Sequence, residues 1–205
     1  MNANKADAQT FLCGIDEAGR GPLAGPVCAA AVILAKDFPC DILNDSKKLS
    51  SAAREKARPV ICSGSLAWGI GWATAGEIDE INILQASLLA MKRAYGEMIA
   101  AFGTSAFFEA AYDKIRVVVD GTFIPDIPVP CEAVVKADSF VNEVMAASIL
   151  AKTYRDHLME YYSLLYPEYG YDKHKGYPTK AHRTAIQCYG PSPIQRKSFR
   201  VKNQE

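Results

Sequence analysis

The 205-residue sequence lacks the patterns that mark several classes of protein. Its six cysteines include no C-x-x-C pair, and no histidine stands at zinc-finger spacing, which excludes the common structural zinc motifs. No apolar run approaches the roughly 18 residues that span a bilayer, and the N-terminus lacks the basic-then-apolar layout of a secretory signal. We therefore expect a cytoplasmic protein with no membrane partner, whose reduced cysteines serve as small core residues.

Net charge is also missing, because 23 Lys and Arg balance 23 Asp and Glu. The whole-chain charge therefore indicates neither a nucleic acid nor an anionic membrane as a partner. The balance hides an asymmetry: residues 171–205 hold eight basic and two acidic residues, whereas the first 170 hold 15 basic and 21 acidic ones. The basic segment is suited to holding a phosphate backbone.

Hydrophobic patterning predicts an α/β protein. Apolar stretches predict strands over 11–16, 27–34, 66–74, 115–119 and 131–135. Capping and helical spacing predict one helix that begins at Ser50 and is limited or kinked by Pro59, and others over 83–102, 139–162 and 179–188. This order suits a mixed sheet covered by helices. We expect a single domain over 1–205, with a core at 11–160 and a basic, helical C-terminal extension at 161–205.

Acidic residues stand at three predicted strand ends. Asp16 and Glu17 close the first strand, Asp120 closes the IRVVV strand, and Asp138 follows a short strand. Open α/β sheets bind ligands at the carboxyl ends of their strands, and oxygen ligands suit Mg²⁺ or Mn²⁺. A solvated turn, an Asp-Gly turn and a helix N-cap are the ordinary alternatives. Adjacent side chains on a regular strand point to opposite faces, so a metal shared by Asp16 and Glu17 requires a strand end or a bulge.

A glycine-rich segment follows the first two acids. Gly19 and Gly21 flank Arg20, so backbone N–H groups and a guanidinium could meet a phosphate or a hydroxyl. Arg20-Gly21 stands where a P-loop needs Lys and then Ser or Thr, and the spacing to Gly25 is wrong for a dinucleotide fold. Neither ATP nor NAD is expected.

Seven motifs occur in an order that closely resembles the bacterial ribonuclease HII family. They are GIDEAGRGPLAGP at 14–26, NDSKKL at 44–49, INIL at 81–84, VVDG at 118–121, KAD at 136–138, ASILAK at 147–152 and HKGYPT at 174–179. The resemblance implies a ribonuclease H-like mixed sheet and hydrolysis of the RNA strand of RNA–DNA hybrids with Mg²⁺ or Mn²⁺. It also implies two-metal cleavage on the 5′ side of single ribonucleotides in duplex DNA, which leaves a 3′-hydroxyl and a 5′-phosphate.

The resemblance assigns roles to particular residues. It places the catalytic, metal-binding carboxylates on the four acids already selected: Asp16, Glu17, Asp120 and Asp138. It places contacts to the 2′-hydroxyl and phosphates on Gly19, Arg20 and Gly21, and packing against the sugar on Tyr177. The other substrate contacts it suggests are Lys47, Lys48, Ser139, Lys152, His174 and Lys175. Solvated lysines, a surface tyrosine and a structural histidine are the ordinary alternatives.

Two other functions fit the same residues: a non-catalytic module that binds hybrid or ribonucleotide-containing duplex, and a DNA-junction nuclease on the same fold. Ribonuclease HIII is disfavoured because it carries an extra N-terminal domain, whereas about ten residues precede the first strand here. The segment 195–199 is a poor sliding-clamp-binding peptide because it lacks a leucine before Phe199, and an ordinary basic tail is favoured. The expected partners are RNA–DNA hybrid and ribonucleotide-containing duplex DNA, bound by a monomer.

Overall fold

A computed structural model describes residues 10–44, 46–103 and 111–199. Within them lies a five-stranded mixed sheet made of β1 (Phe11–Ala18), β2 (Val27–Leu34), β3 (Ser65–Ala73), β4 (Ile115–Asp120) and β5 (Cys131–Val134). The strand order is β3-β2-β1-β4-β5, with β1 parallel to β4 and β4 parallel to β5. The β1–β2 and β2–β3 pairs are antiparallel. The carboxyl ends of β1, β4 and β5 therefore meet at one end of the sheet.

The described helices are α1 (Ser51–Gly64), α2 (Ala75–Phe102), α3 (Asn142–Leu165), α4 (Tyr171–His174) and α5 (Lys180–Tyr189). Short 3-10 turns lie at Cys40–Ile42, Tyr112–Lys114, Ala137–Ser139 and Pro167–Tyr169. Side chains fix several helix starts: Ser50 accepts from the Ala53 N–H at 3.1 Å, and Thr74 and Glu77 form a reciprocal capping box at α2. No described helix has both the length and the apolar character needed to cross a membrane.

The side-chain alternation of β2 explains how helices cover both faces of the sheet. Its odd-numbered residues pack in a cluster with α2, and its even-numbered residues pack with α1 and α3. Ile15 and Val119 also belong to the α2 cluster. Because side chains alternate along a strand, the following residues Asp16 and Asp120 lie on the α3 face.

Helix α3 begins unusually close to β1. A Cβ at Gly14 would lie 2.2 Å from the carbonyl carbon of Glu143, so glycine is needed for this approach. The contact brings the first turns of α3 beside the carboxyl end of β1, where Asp16 lies.

The structure confirms the predicted α/β class and most elements, and several bounds differ; α3, for example, runs from Asn142 to Leu165 and not over 139–162. Helix α1 continues through Pro59 to Gly64, because buried Ala57 and Ile61 hold it against the core. Strand β1 runs on to Ala18 through continued pairing with β2. Helix α2 begins eight residues before the predicted start, and Asn82, with φ 66°, interrupts it just before the apolar stripe.

The six cysteines are free, and Cys13 and Cys28 are buried. The prediction that all of them fill the core was wrong for Cys40 and Cys188, which are exposed. Within the predicted extension, α4 and α5 pack on the rest of the chain through a cluster of Ala24, Met159, Tyr169, Tyr171 and Ala185. Residues 200–205 of the predicted extension and Asp45 of the NDSKKL motif lie outside the described residues.

Candidate active site

Three of the four predicted catalytic acids form one cluster. Asp16, Asp120 and Asp138 each offer a carboxylate oxygen, and these atoms all lie within 4.8 Å of one another. Asp16 comes from β1, Asp120 is the last residue of β4, and Asp138 lies in the 3-10 turn after β5. Asp16 and Asp138 are buried and Asp120 is half-buried. The meeting of parallel strand ends thus brings together acids that are far apart in sequence.

Glu17 is placed differently from the other three acids. The pairing of β1 with β2 is regular from Cys13 to Ala18, without a bulge, so Glu17 points away from the face that carries Asp16. Its N–H donates to Asp16 Oδ1 at 2.7 Å, and its carboxylate accepts from Arg20 at 3.3 Å. Glu17 nevertheless lies near enough for the Asp120 charge to raise its pKa, after burial as the main cause. It stands beside the three-aspartate cluster and outside it.

The cluster is electrostatically unfavourable without a cation. Burial and the neighbouring Glu17 carboxylate raise the pKa of Asp16 well above its ordinary value, and a hydrogen bond from Ser148 partly offsets this. Burial and the Asp138 charge raise the pKa of Asp120. Asp120 Oδ1 is buried and has no hydrogen-bond partner among the described residues. A buried, unpartnered carboxylate oxygen in an all-oxygen cluster fits a hard divalent cation such as Mg²⁺ or Mn²⁺.

We expect Asp120→Asn to stabilise the metal-free protein. Because the pKa of Asp120 is raised in the folded protein, protonation of this acid favours the folded state. The stabilisation is full at pH values below the pKa in the unfolded chain, and it is lost as the pH rises through the pKa in the folded protein. At neutral pH the ionised cluster therefore destabilises the fold. Removing one charge should add about 1 kcal/mol, since Asp120 is only half-buried and water screens part of the repulsion. In a chain of this size that raises Tm by about 2–4 °C.

Thermal unfolding at pH 7 in EDTA measures this effect. The matched control is Asp126→Asn, because Asp126 is exposed and pairs with Lys92 at 2.7 Å, so its loss relieves no repulsion. The expectation fails if Asp120→Asn leaves Tm unchanged or lowers it. Addition of Mg²⁺ should raise the Tm of the wild type more than that of the variant.

Two further side chains touch the acids. Lys47 Nζ lies 2.8 Å from Asp138 Oδ2, and the Lys47 side chain is 75% exposed. Ser148 on α3 hydrogen-bonds to Asp16, and its hydroxyl lies 2.7 Å from that of Ser46. Lys47 was predicted from the sequence and Ser148 was not, although the ASILAK motif contains it. A serine at an otherwise apolar helix position was the available signal.

The glycine-rich segment lies next to the acids and to the predicted sugar-packing tyrosine. We call residues 19–26 the substrate loop, after the substrate contacts that the sequence predicts for Gly19, Arg20 and Gly21. Gly19 has φ 100°, and a Cβ there would lie 2.0 Å from Arg155 Nε, so both the backbone and the packing require glycine. A Cβ at Gly21 would lie 3.5 Å from the Tyr177 ring, which is partly exposed. The structure therefore brings Gly21 and Tyr177 together, while half-exposed Arg20 reaches Glu17.

Most of the remaining predicted substrate contacts have partners away from the acid cluster. Lys152 pairs with Asp156 at 2.6 Å, and Lys175 pairs with Glu160 at 2.9 Å and donates to the Asp172 carbonyl. Ser139 is exposed and donates to the Lys136 carbonyl, and Lys48 is exposed. Asp156, the partner of Lys152, also lies 3.8 Å from Arg54.

His174 lies in the protein interior and not on an open surface. Its Nε2 lies 2.8 Å from the Tyr169 carbonyl, and its Nδ1 accepts from the Gly176 N–H at 3.2 Å. The ring stacks on that of His182 with centroids 4.6 Å apart. These contacts support the structural alternative for His174, since it holds the turn that leads to Tyr177.

The segment 194–199, which we call the C-terminal strap, is not the exposed basic tail that the sequence favoured. Arg196 is fully buried, Gln195 is buried, and Phe199 packs against the α2-side core. Ala24 and Gln195 form a β-bridge, so the strap runs along the substrate loop. The burial of Arg196 was not predicted, because nothing in a short polar segment signals that its arginine is buried.

The mixed sheet and its three-aspartate cluster define a metal-dependent nuclease with a ribonuclease H-like fold. The ribonuclease HII family model matches residues 13–202. A ribonuclease HII of Treponema denticola is 58% identical over 199 residues, covering 94% of this chain and 100% of the relative. That of Dechloromonas aromatica is 52% identical over 189 residues, covering 92% and 90%. The chain belongs to the ribonuclease HII family, whose members are endoribonucleases of RNA–DNA hybrids, and it is an enzyme of that type.

Solved structures agree with the fold. The ribonuclease HII in the complex with PCNA from Archaeoglobus fulgidus superposes with a TM-score of 0.72 at 23% identity, covering 95% of this chain and 98% of that one. Bst-RNase HIII in complex with Mn²⁺ gives a TM-score of 0.71 at 18% identity, covering 93% of this chain and 67% of that one. These similarities confirm the predicted ribonuclease H-like sheet with flanking helices.

Proposed function

We propose that the enzyme also cuts duplex DNA on the 5′ side of a single embedded ribonucleotide and leaves a 3′-hydroxyl and a 5′-phosphate. The observation that carries this proposal is the position of the substrate loop. Gly19–Gly21 lies within a few residues of the acid cluster on the chain and directly beside Tyr177 in space. A loop that meets the 2′-hydroxyl of one nucleotide, next to the cleavage site, needs only that nucleotide to be RNA.

Each residue has a role in this proposal. Asp16, Asp120 and Asp138 would hold the divalent cations, either Mg²⁺ or Mn²⁺, with Glu17 at the edge of the cluster. Bound cations would supply two-metal chemistry, in which a water is activated for in-line attack and the departing 3′-oxygen is stabilised. Arg20 and the loop N–H groups bind the ribonucleotide, and the exposed face of Tyr177 packs on the sugar.

Lys47 fits the same arrangement. The ammonium of Lys47 forms an ion pair with the Asp138 carboxylate, and most of the Lys47 side chain is exposed. A lysine in this position compensates part of the cluster's charge and can reach a phosphate of the scissile strand when nucleic acid binds. Lys48, next along the chain and exposed, is placed to contact the backbone further from the cut.

A sliding clamp is not the partner that we propose for residues 195–199. Arg196 is buried and Phe199 packs against the hydrophobic core, so these residues would have to detach from the rest of the protein to bind another chain. We propose that a monomer acts on the hybrid or the ribonucleotide-containing duplex, in the cytoplasm.

The test is cleavage of an end-labelled DNA duplex that contains one ribonucleotide, with product ends mapped to the nucleotide. We expect one cut on the 5′ side of the ribonucleotide in Mg²⁺ or Mn²⁺, and none in EDTA or on the all-DNA duplex. Tight binding without cleavage in either metal would favour the non-catalytic module. Cleavage of a branched all-DNA substrate, with indifference to the ribonucleotide, would favour the junction nuclease.

A further inference from the structure

Two buried arginines lie directly beneath the substrate loop. Arg155 on α3 is 1% exposed and Arg196 in the C-terminal strap is 0% exposed. No carboxylate in the described part of the chain forms an ion pair with either guanidinium. Buried charges normally require such a partner, so the contacts that replace it need a physical account.

Backbone carbonyl oxygens take the place of the carboxylate. Arg196 donates to the carbonyls of Gly19 at 2.6 Å, Arg20 at 2.9 Å and Gly25 at 2.8 Å. Arg155 donates to those of Ala24 at 3.2 Å, Pro26 at 2.9 Å and Lys175 at 3.0 Å. A guanidinium presents its N–H donors in fixed directions within one plane. The two arginines therefore fix the orientation of five peptide carbonyls within the eight-residue loop.

The direction of each carbonyl also fixes the direction of the next N–H. In a trans peptide the C=O and the following N–H point in opposite directions, and the structure has no cis peptide bonds among the described residues. Because Arg196 draws the Gly19 and Arg20 carbonyls inward, the N–H groups of Arg20 and Gly21 point outward. Gly21 also lies against Tyr177, whose ring would be 3.5 Å from a Cβ at that position.

Arg196 is itself held from two sides. Its N–H donates to the Leu23 carbonyl at 2.9 Å, and the Gly25 N–H donates to Ile194 at 2.9 Å. On the other side, the Asp79 carboxylate accepts from the N–H groups of Lys197 and Ser198 at 2.9 and 2.8 Å. The strap thus links the substrate loop to α2.

We propose that Arg196 is a positioning residue that sets selectivity for ribonucleotides, by holding the N–H groups of Arg20 and Gly21 where they meet the 2′-hydroxyl and its adjacent phosphate. This inference rests on the proposed function, and it adds a residue that does not touch the substrate. It differs from a merely structural role because its loss reduces discrimination between RNA and DNA, and not only stability.

The charge of Arg196 contributes as well. Burial and the nearby Arg155 charge lower the pKa of Arg196 to about 9, so the guanidinium stays protonated at neutral pH. Two cations below the loop make the potential at its outer surface more positive, which favours an anionic backbone of either RNA or DNA. This effect acts on affinity in general, whereas the hydrogen bonds act on selectivity.

The experiment measures the ratio of dissociation constants for an all-DNA duplex and for the same duplex with one ribonucleotide. The full-length protein carries Asp120→Asn so that no substrate is cut. Arg196→Lys keeps the charge, but its donors all sit on one nitrogen and cannot reproduce the planar guanidinium that reaches the Gly19, Arg20 and Gly25 carbonyls. Arg196→Met removes both the charge and the donors. We expect both variants to lower the ratio about tenfold or more, because loop geometry is lost in each. Only Arg196→Met should also weaken binding to all-DNA duplex.

The controls separate positioning from stability. Met98→Ala removes a fully buried side chain on the α2 side of the sheet and should lower Tm while leaving the ratio unchanged. If Arg196→Met does not fold, the same ratio is measured in Arg196→Lys and in Asp79→Ala. The Asp79→Ala substitution frees the strap without removing the arginine. A wild-type ratio in the folded Arg196 variants would overturn the inference. A ratio of one in the Asp120→Asn parent would instead overturn the proposed function.

Discussion

Asp120→Asn is expected to lower metal-dependent cleavage at least about a thousandfold, because the cluster loses a charged ligand whose contribution is several kcal/mol in the transition state. Asparagine keeps the size of the side chain and removes the charge that a hard cation requires. Since the substrate loop and Tyr177 do not depend on this carboxylate, the variant should still fold and bind ribonucleotide-containing duplex. Single-turnover cleavage in Mg²⁺ and in Mn²⁺ measures the loss.

Asp126→Asn is the matched control for this prediction. It makes the same chemical change at an exposed acid whose ion-pair partner in the described structure is Lys92. Activity should therefore stay at the wild-type level. Activity of Asp120→Asn within tenfold of the wild type would contradict the assignment of this residue to the metal site. A loss of folding, seen by circular dichroism, would contradict the expected gain in stability.

Gly19→Ala is expected to lower kcat/KM about a hundredfold, because the substrate loop cannot keep its position. The new methyl group would meet Arg155 Nε at 2.0 Å and Cδ at 2.4 Å, and the backbone has φ 100°. Arg155 cannot withdraw freely, since its donors hold the Ala24, Pro26 and Lys175 carbonyls. The free energy of unfolding should fall by about 2–4 kcal/mol from clash and strain together.

Gly170→Ala separates strain from crowding. Gly170 also has a positive φ, 65°, but an added Cβ would have no atom within 4 Å. It should lose about 1 kcal/mol of stability and keep full activity. Chemical denaturation and cleavage kinetics on both variants make the comparison. Equal activity in Gly19→Ala and Gly170→Ala would show that crowding against Arg155 does not control the loop.

The parts of the fold that the sequence predicted well are those in which one pattern decides the outcome. Strand β2 is an eight-residue apolar run, and its predicted bounds agree with the structure at both ends. Asp120 was identified as functional because it ends a run of β-branched residues, where parallel strands place their ligands. The interruption at Asn82 was missed, because a positive φ at asparagine has no counterpart in hydrophobic spacing.

The sequence predicted the site residues that belong to recognisable motifs. It did not predict the residues whose position depends on tertiary packing. Alternation along a regular strand predicts that Asp16 and Glu17 point to opposite faces, and β1 pairs without a bulge there. The role of Glu17 as a metal ligand stays a prediction. His174 and Arg196 were less accessible to sequence reasoning, because a polar side chain in a polar segment is ordinarily exposed. Their burial results from contacts with distant residues, such as Arg196 with Gly19. The roles of Tyr177 and the lysines in substrate binding stay predictions.

The link between Arg196 and Gly19 joins residues 177 positions apart in the sequence. Contacts of such long range form late, because the intervening chain must first be ordered. During synthesis, the sheet and its acids can assemble before the C-terminal strap has left the ribosome. We therefore expect the nascent chain to assemble its three-aspartate cluster before it acquires the loop geometry that we propose for ribonucleotide selectivity.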